Sequence, residues 1–164
     1  LLIRKELYEN AGGLDEDFFA HMEEIDLCWR LQRMGYHVAV QPQSTVYHVG
    51  GGTLSKINPR KTYLNFRNGL ELLVKNLNRW ELVFILPIRI ILDWVAAFKF
   101  IFSNQANHSL AILQAQIDFC KRLKLTIKKR KSSSVNYLLT SKRKPFSIVF
   151  AYYLLGKKTF NSLN

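Results

Sequence analysis

The sequence predicts an α/β region over residues 1–77 followed by a mostly helical extension over residues 78–164. Three observations predict it. Two short runs, Tyr36-His37-Val38-Ala39-Val40 and Thr45-Val46-Tyr47-His48, alternate as half-buried strands do. Apolar residues at helical spacing mark helices on both sides of them. A long apolar stretch over residues 80–102 then opens a second region whose far end is strongly basic.

The chain begins with an apolar strand or turn and a short helix over residues 4–10, and Gly12-Gly13 reads as the turn that follows. The acids at 15–17 read as a solvated loop. Residues 18–30, FFAHMEEIDLCWR, organise what comes next. Glu23, Glu24 and Asp26 fall in the first turn of a helix, where unpaired N–H groups and the macrodipole favour negative charge. Asp26 and Arg30, four apart, share a face and can pair. Leu27, Leu31 and Met34 supply the inward stripe, and Gly35 stands where a left-handed residue would end the helix. Pro42 stops the first strand, and the second runs into Gly50-Gly51-Gly52, a loop whose backbone can approach a ligand closely.

A helix follows over residues 61–77, with Tyr63, Phe66, Leu70, Leu73 and Leu77 on its stripe. Residues 80–102 are long enough to cross a bilayer, which takes about twenty residues. Yet Glu81, Arg89, Asp93 and Lys99 fall within about 120° of one another on the helix, and Pro87 interrupts it. An interfacial helix, or a re-entrant one kinked at Pro87, fits this pattern better than a clean span. Residues 107–123 form a further amphipathic helix. The clusters at 121–124, 128–131 and 142–144 are basic, with a serine-rich break at 132–134, and the apolar piece at 145–155 is too brief to span a membrane.

The net charge of +12 is unevenly distributed. Residues 1–120 hold 12 Lys/Arg and all 12 Asp/Glu, whereas residues 121–164 hold 12 Lys/Arg and no acid. Such an asymmetry calls for an anionic partner, a membrane surface or nucleic acid. Cys28 and Cys120 are far apart and form no CxxC, which suits a reducing compartment and speaks against a zinc site or disulfide framework.

The chemistry concentrates at the acids. Phe18, Phe19, Ala20 and Met22 are too apolar for a solvated loop, so the carboxylates are expected to border a pocket. Partial desolvation beside other acids is the setting in which a carboxylate acts as general base on a sugar hydroxyl. The plainer alternative is a capped surface helix.

The run GGLDEDFFAHMEEIDLCWRLQRMGYHVAVQPQSTVYHVGGGTL resembles the C-terminal half of the catalytic domain of family 2 glycosyltransferases, in their rhamnosyltransferase-like branch. Those enzymes carry Gly-Gly-Phe-Asp-Glu-x-Phe-Phe, then Glu-Asp-x-Asp-Leu-x-x-Arg, a Gly-Tyr pair and His-x-Gly-Gly-Gly, in this order. The second acid is usually Asp and is Glu24 here, one methylene longer.

The resemblance implies a GT-A, Rossmann-like domain whose nucleotide-binding half and Asp-x-Asp motif precede residue 1. It implies inverting transfer of a sugar from a nucleotide-sugar donor to the hydroxyl of a saccharide or lipid-linked acceptor, in cell-surface polysaccharide or glycan synthesis. Glu24 would be the catalytic base, with Glu23, Asp26, Gly50 and Gly51 binding substrate. His48 would complete a divalent-metal site for Mn or Mg. Tyr63 to Asn68 is similar to a Tyr-x-x-x-Arg-Asn stretch of many relatives, and Arg67 could reach the donor diphosphate. Residues 80–102 and the basic tail would hold the protein on the cytoplasmic face of the cell membrane, peripherally or as a single pass. The competing expectation is a non-catalytic basic module bound to membrane or nucleic acid, with the acids serving only as a cap. Tyr137 and Phe146 do interleave its basic tail, but it gives no reason for the acidic, histidine and glycine blocks to occur together.

Overall fold

The computed structural model describes residues 1–47, 58–132 and 155–156. Among these residues every regular element is a helix: α1 (Lys5–Asn10), a 3₁₀ turn (Glu16–Phe18), α2 (Glu23–Arg33), α3 (Pro59–Asn76), α4 (Arg79–Phe102) and α5 (Ala106–Ser132). This overturns the α/β, GT-A-like expectation, since no strand or sheet occurs among the described residues. Residues 36–40 and 45–47 follow α2 without regular structure, and they are exposed. Their alternation is real, but an isolated extended segment leaves its ladder of N–H and C=O groups to water.

The helix boundaries follow local chemistry. Gly35, at φ +89°, ends α2, with the Tyr36 amide donating to the Leu31 carbonyl at 3.0 Å and the Gly35 amide to Gln32 at 3.0 Å. Asn58 caps α3, accepting from the Arg60 amide at 2.9 Å, and Pro59 takes the first-turn position where its missing N–H costs nothing. Asn78 and Glu81 form a reciprocal capping box at the start of α4, with bonds of 2.7 and 3.2 Å. One charge of the apolar stretch is thereby consumed at the helix end. α4 runs on through Pro87 as a single helix.

α3 is the central helix. Its buried apolar row centres on Leu70 and Val74, which meet Phe119 of α5, with Leu82, Leu86, Ile90 and Leu123 packed around them. An adjoining row is polar yet also buried: Arg67, Glu71 and Lys75, four apart. Thr62 pairs with His108 at 2.7 Å and Glu71 with Arg122 at 2.7 Å, so α3 and α5 run in the same sense. α4 returns antiparallel alongside this pair. It is held to α5 by the Ser109 hydroxyl on the Ala97 carbonyl, and to α3 by Arg89 lying over Phe66 and against Gly69. A Cβ at Gly69 would stand 3.2 Å from the Arg89 guanidinium, close enough that this flexible side chain would have to shift by a few tenths of an ångström.

Truncating the centre of the core, Leu70→Ala, is expected to cost about 2–5 kcal/mol of stability. The outward Val83→Ala is expected to change it by no more than about 0.5 kcal/mol. Chemical denaturation followed by far-UV circular dichroism measures both.

Candidate functional site

The acids of α2 sit at the mouth of a strained turn. Phe19, His21 and Met22 have φ of 61°, 67° and 77°, three non-glycine residues on the left-handed side within four positions. Such conformations cost on the order of 1–3 kcal/mol each and persist only where the surroundings over-determine them. Here the surroundings are Arg67 and Asn68. The Asn68 amide nitrogen donates toward the carbonyls of Phe18, Ala20 and His21 at 2.9, 2.8 and 2.8 Å, two hydrogens shared among three acceptors. The Asn68 oxygen accepts from the Arg67 guanidinium at 2.7 and 3.0 Å, and that guanidinium also donates to the Asp17 carbonyl at 3.0 Å. Fully buried Phe18 anchors the turn from within, under the Lys75 ammonium 4.8 Å from its ring centre.

The four predicted residues that are described have distinct surroundings. Glu24 is exposed and Glu23 half-buried, both in the first turn of α2. Asp26 is fully buried and closed to a ligand. Its carboxylate accepts from Arg30 at 2.8 Å, Lys75 at 2.9 Å and Asn76 at 2.8 Å. Arg30 in turn donates to the carbonyls of Ala11 and Gly13, the latter at 2.6 Å, which fixes α1 and the Gly12-Gly13 turn against α2. Arg67 is buried beneath the turn rather than presented at the mouth. The turn thus links Arg67 to the acids. His48, Gly50 and Gly51 lie outside the described residues.

The structure adds a residue that spacing did not mark. His21 Nε2 and Glu23 Oε2 are both buried, and neither has a hydrogen-bond partner among the described residues. Buried polar atoms are normally satisfied, so these two stand out next to the exposed Glu24. Among the described residues no three His, Cys, Asp or Glu side chains converge as a metal set.

A second network ties the other end of the turn to α5. Lys75 donates to Asp15 at 2.6 Å, and Lys129 forms ion pairs with both Asp15 and Asp17. Arg122 joins Glu71 to Asp17 at 2.7 and 3.4 Å, and Arg130 donates to the Val74 carbonyl at 2.6 Å. The acids at 15 and 17 are therefore structural anchors, not a solvated loop. Burial alone would raise the Asp15 carboxyl, but hydrogen bonds from Lys129 and Lys75 outweigh it and hold its pKa at about 2. Asp17 is lowered as well, mainly by its bond from Lys129.

Comparison with family models, with curated proteins and with solved structures finds no match to this chain.

Two outcomes test this account of the site. Asn68→Ala removes the donors to the strained turn and is expected to cost about 2–4 kcal/mol in denaturant melts, because buried carbonyls are left unpaired. The Asp15 anchor is fully present above its ordinary pKa of 3.8 and is lost as pH falls toward about 2. Thermal melts between about pH 6 and about pH 2 should accordingly fall less steeply for Asp15→Asn than for the parent protein.

Proposed function

We propose that this chain serves the acceptor side of a glycosyltransferase, with Glu24 as the general base of an inverting transfer. The observation that supports it most is the division of labour among the acids. Asp26 is consumed by the scaffold, while the strained turn leads into half-buried Glu23 and exposed Glu24, next to a buried His21 Nε2 that has no hydrogen-bond partner among the described residues. Stored backbone strain next to unsatisfied polar atoms is an arrangement associated with functional sites.

In the proposed step the Glu24 carboxylate takes the proton of an acceptor hydroxyl on a saccharide or lipid-linked acceptor. The hydroxyl oxygen forms its bond to the anomeric carbon of a nucleotide-sugar. The bond from that carbon to the diphosphate breaks on the opposite face, and its electron pair leaves with the nucleoside diphosphate. Glu23, half-buried beside Glu24, orients the acceptor or steers that base. Arg67 acts here as a positioning residue, since its guanidinium is committed to the turn beneath the site. A divalent ion such as Mn or Mg would neutralise the leaving diphosphate, a part the resemblance gives to His48; the described residues assign that ion no ligand.

In an active glycosyltransferase that contains this chain, Glu24→Gln should reduce kcat by at least about 100-fold while leaving nucleotide-sugar binding nearly unchanged. Glu24→Asp should retain measurable turnover. Full activity in Glu24→Gln would pass the base role to Glu23.

A further inference from the structure

We infer that the outward face of α4 is a lipid-binding surface, lying in the plane of an anionic membrane interface. Sugar transfer at Glu24 is not required for it.

The sequence places four charges along α4, and their disposition in the fold decides what the helix can do. Arg89 and Asp93 are turned inward and paired with each other at 2.6 Å, with Asp93 buried and Arg89 over Phe66 of α3. Glu81 is held in the capping box at the first turn. Lys99 is the one outward charge left between residues 82 and 102. The same inward side carries Leu82, Leu86 and Ile90 against the core. The outward half is apolar over the length of the helix: Val83, Phe84, Ile88, Ile91, Val95 and Phe98 are each more than half exposed. With the exposed aromatic residues at its ends, Trp80 and Phe102, it forms one long apolar face.

Charge decides the occupant. The cations Arg79 and Lys99 stand at the two ends of α4, and Lys124 and Lys128 are exposed on α5 without an ion pair among the described residues. A second copy docked face to face would bring like charges together, whereas anionic headgroups complement them. Trp80 and Trp94 are exposed, and indole rings favour the headgroup level. The orientation follows from packing. The inward side of α4 is already used by α3 and α5, and no helix among the described residues is long and apolar enough to cross a membrane. A helix buried on one side and apolar on the other lies along the interface. The structure also revises which cations contribute, because Arg122, Lys129 and Arg130 are drawn back onto Glu71, Asp15, Asp17 and the Val74 carbonyl.

Flotation of the whole chain with vesicles of phosphatidylcholine, alone or mixed with phosphatidylglycerol, tests this. The chain should float with the anionic mixture and more weakly with the neutral lipid. The double variant Ile88→Glu/Ile91→Glu should weaken binding to both at least about tenfold with unchanged far-UV helicity, since both side chains are exposed. Lys124→Gln/Lys128→Gln should weaken binding roughly ten- to thirty-fold on the anionic mixture only, and this holds the test open if the first variant unfolds. Anionic binding that survives the glutamates and disappears with the glutamines would mean charge alone, and would overturn the inference. So would an absence of flotation, whether accompanied by a dimer that the glutamates dissolve or by retention on nucleic acid.

Discussion

The Asp26 carboxylate, withdrawn from water and surrounded by Arg30, Lys75 and Asn76, is the constraint on which the described structure depends. Through Arg30 it reaches the turn after α1, and through Lys75 and Asn76 it reaches the last turns of α3. Three elements distant in sequence therefore meet on one side chain. Such an arrangement adds little net stability when intact, because desolvating the charges offsets their attraction, but removing one member leaves the others buried without a partner. It also fixes where α2 meets α3, and with it where Glu23 and Glu24 stand.

Next to this lies a balance between strain and restraint. The turn preceding the acids adopts a backbone that Phe, His and Met do not favour, and Asn68 answers for it with one amide group. Arg67 holds Asn68 in turn. The turn is held by residues that lie on another helix. A change at the base of the turn, at Arg67 or Asn68, would therefore be felt at the acids that follow it.

Much of the helical framework was legible in the sequence. The acids at the start of α2, the left-handed Gly35 after it, and the stripes of α3 and α5 are local signals, each decided within one or two turns of helix. The paired strands were not there to be read. Alternation over residues 36–40 states only what one segment would prefer, and a strand exists only if a neighbour completes its ladder. The site was legible as composition but not as geometry. Asn68 at the strained turn and Lys75 at Asp26 are contacts across about fifty residues of chain, to which spacing rules are blind. Nor did the charge asymmetry along the sequence translate into space. Arg122 and Lys129 belong to the acid-free tail by number, yet they neutralise acids near the beginning of the chain.

That last contact bears on the order in which the molecule is assembled. Asp15 and Lys129 are separated by 114 positions, and Asp15 reaches the ribosome's exit long before its partner is made. Synthesis at roughly 5–20 residues per second leaves several seconds in which α1, α2 and the turn between them exist without the cation that fastens them. Lys75 arrives earlier and can hold Asp15 provisionally, but the second bond waits for the end of α5. The acid-bearing turn is thus made well before the lysine that helps secure it, and a nascent chain halted before residue 129 would carry Glu24 behind a turn still lacking one of its anchors.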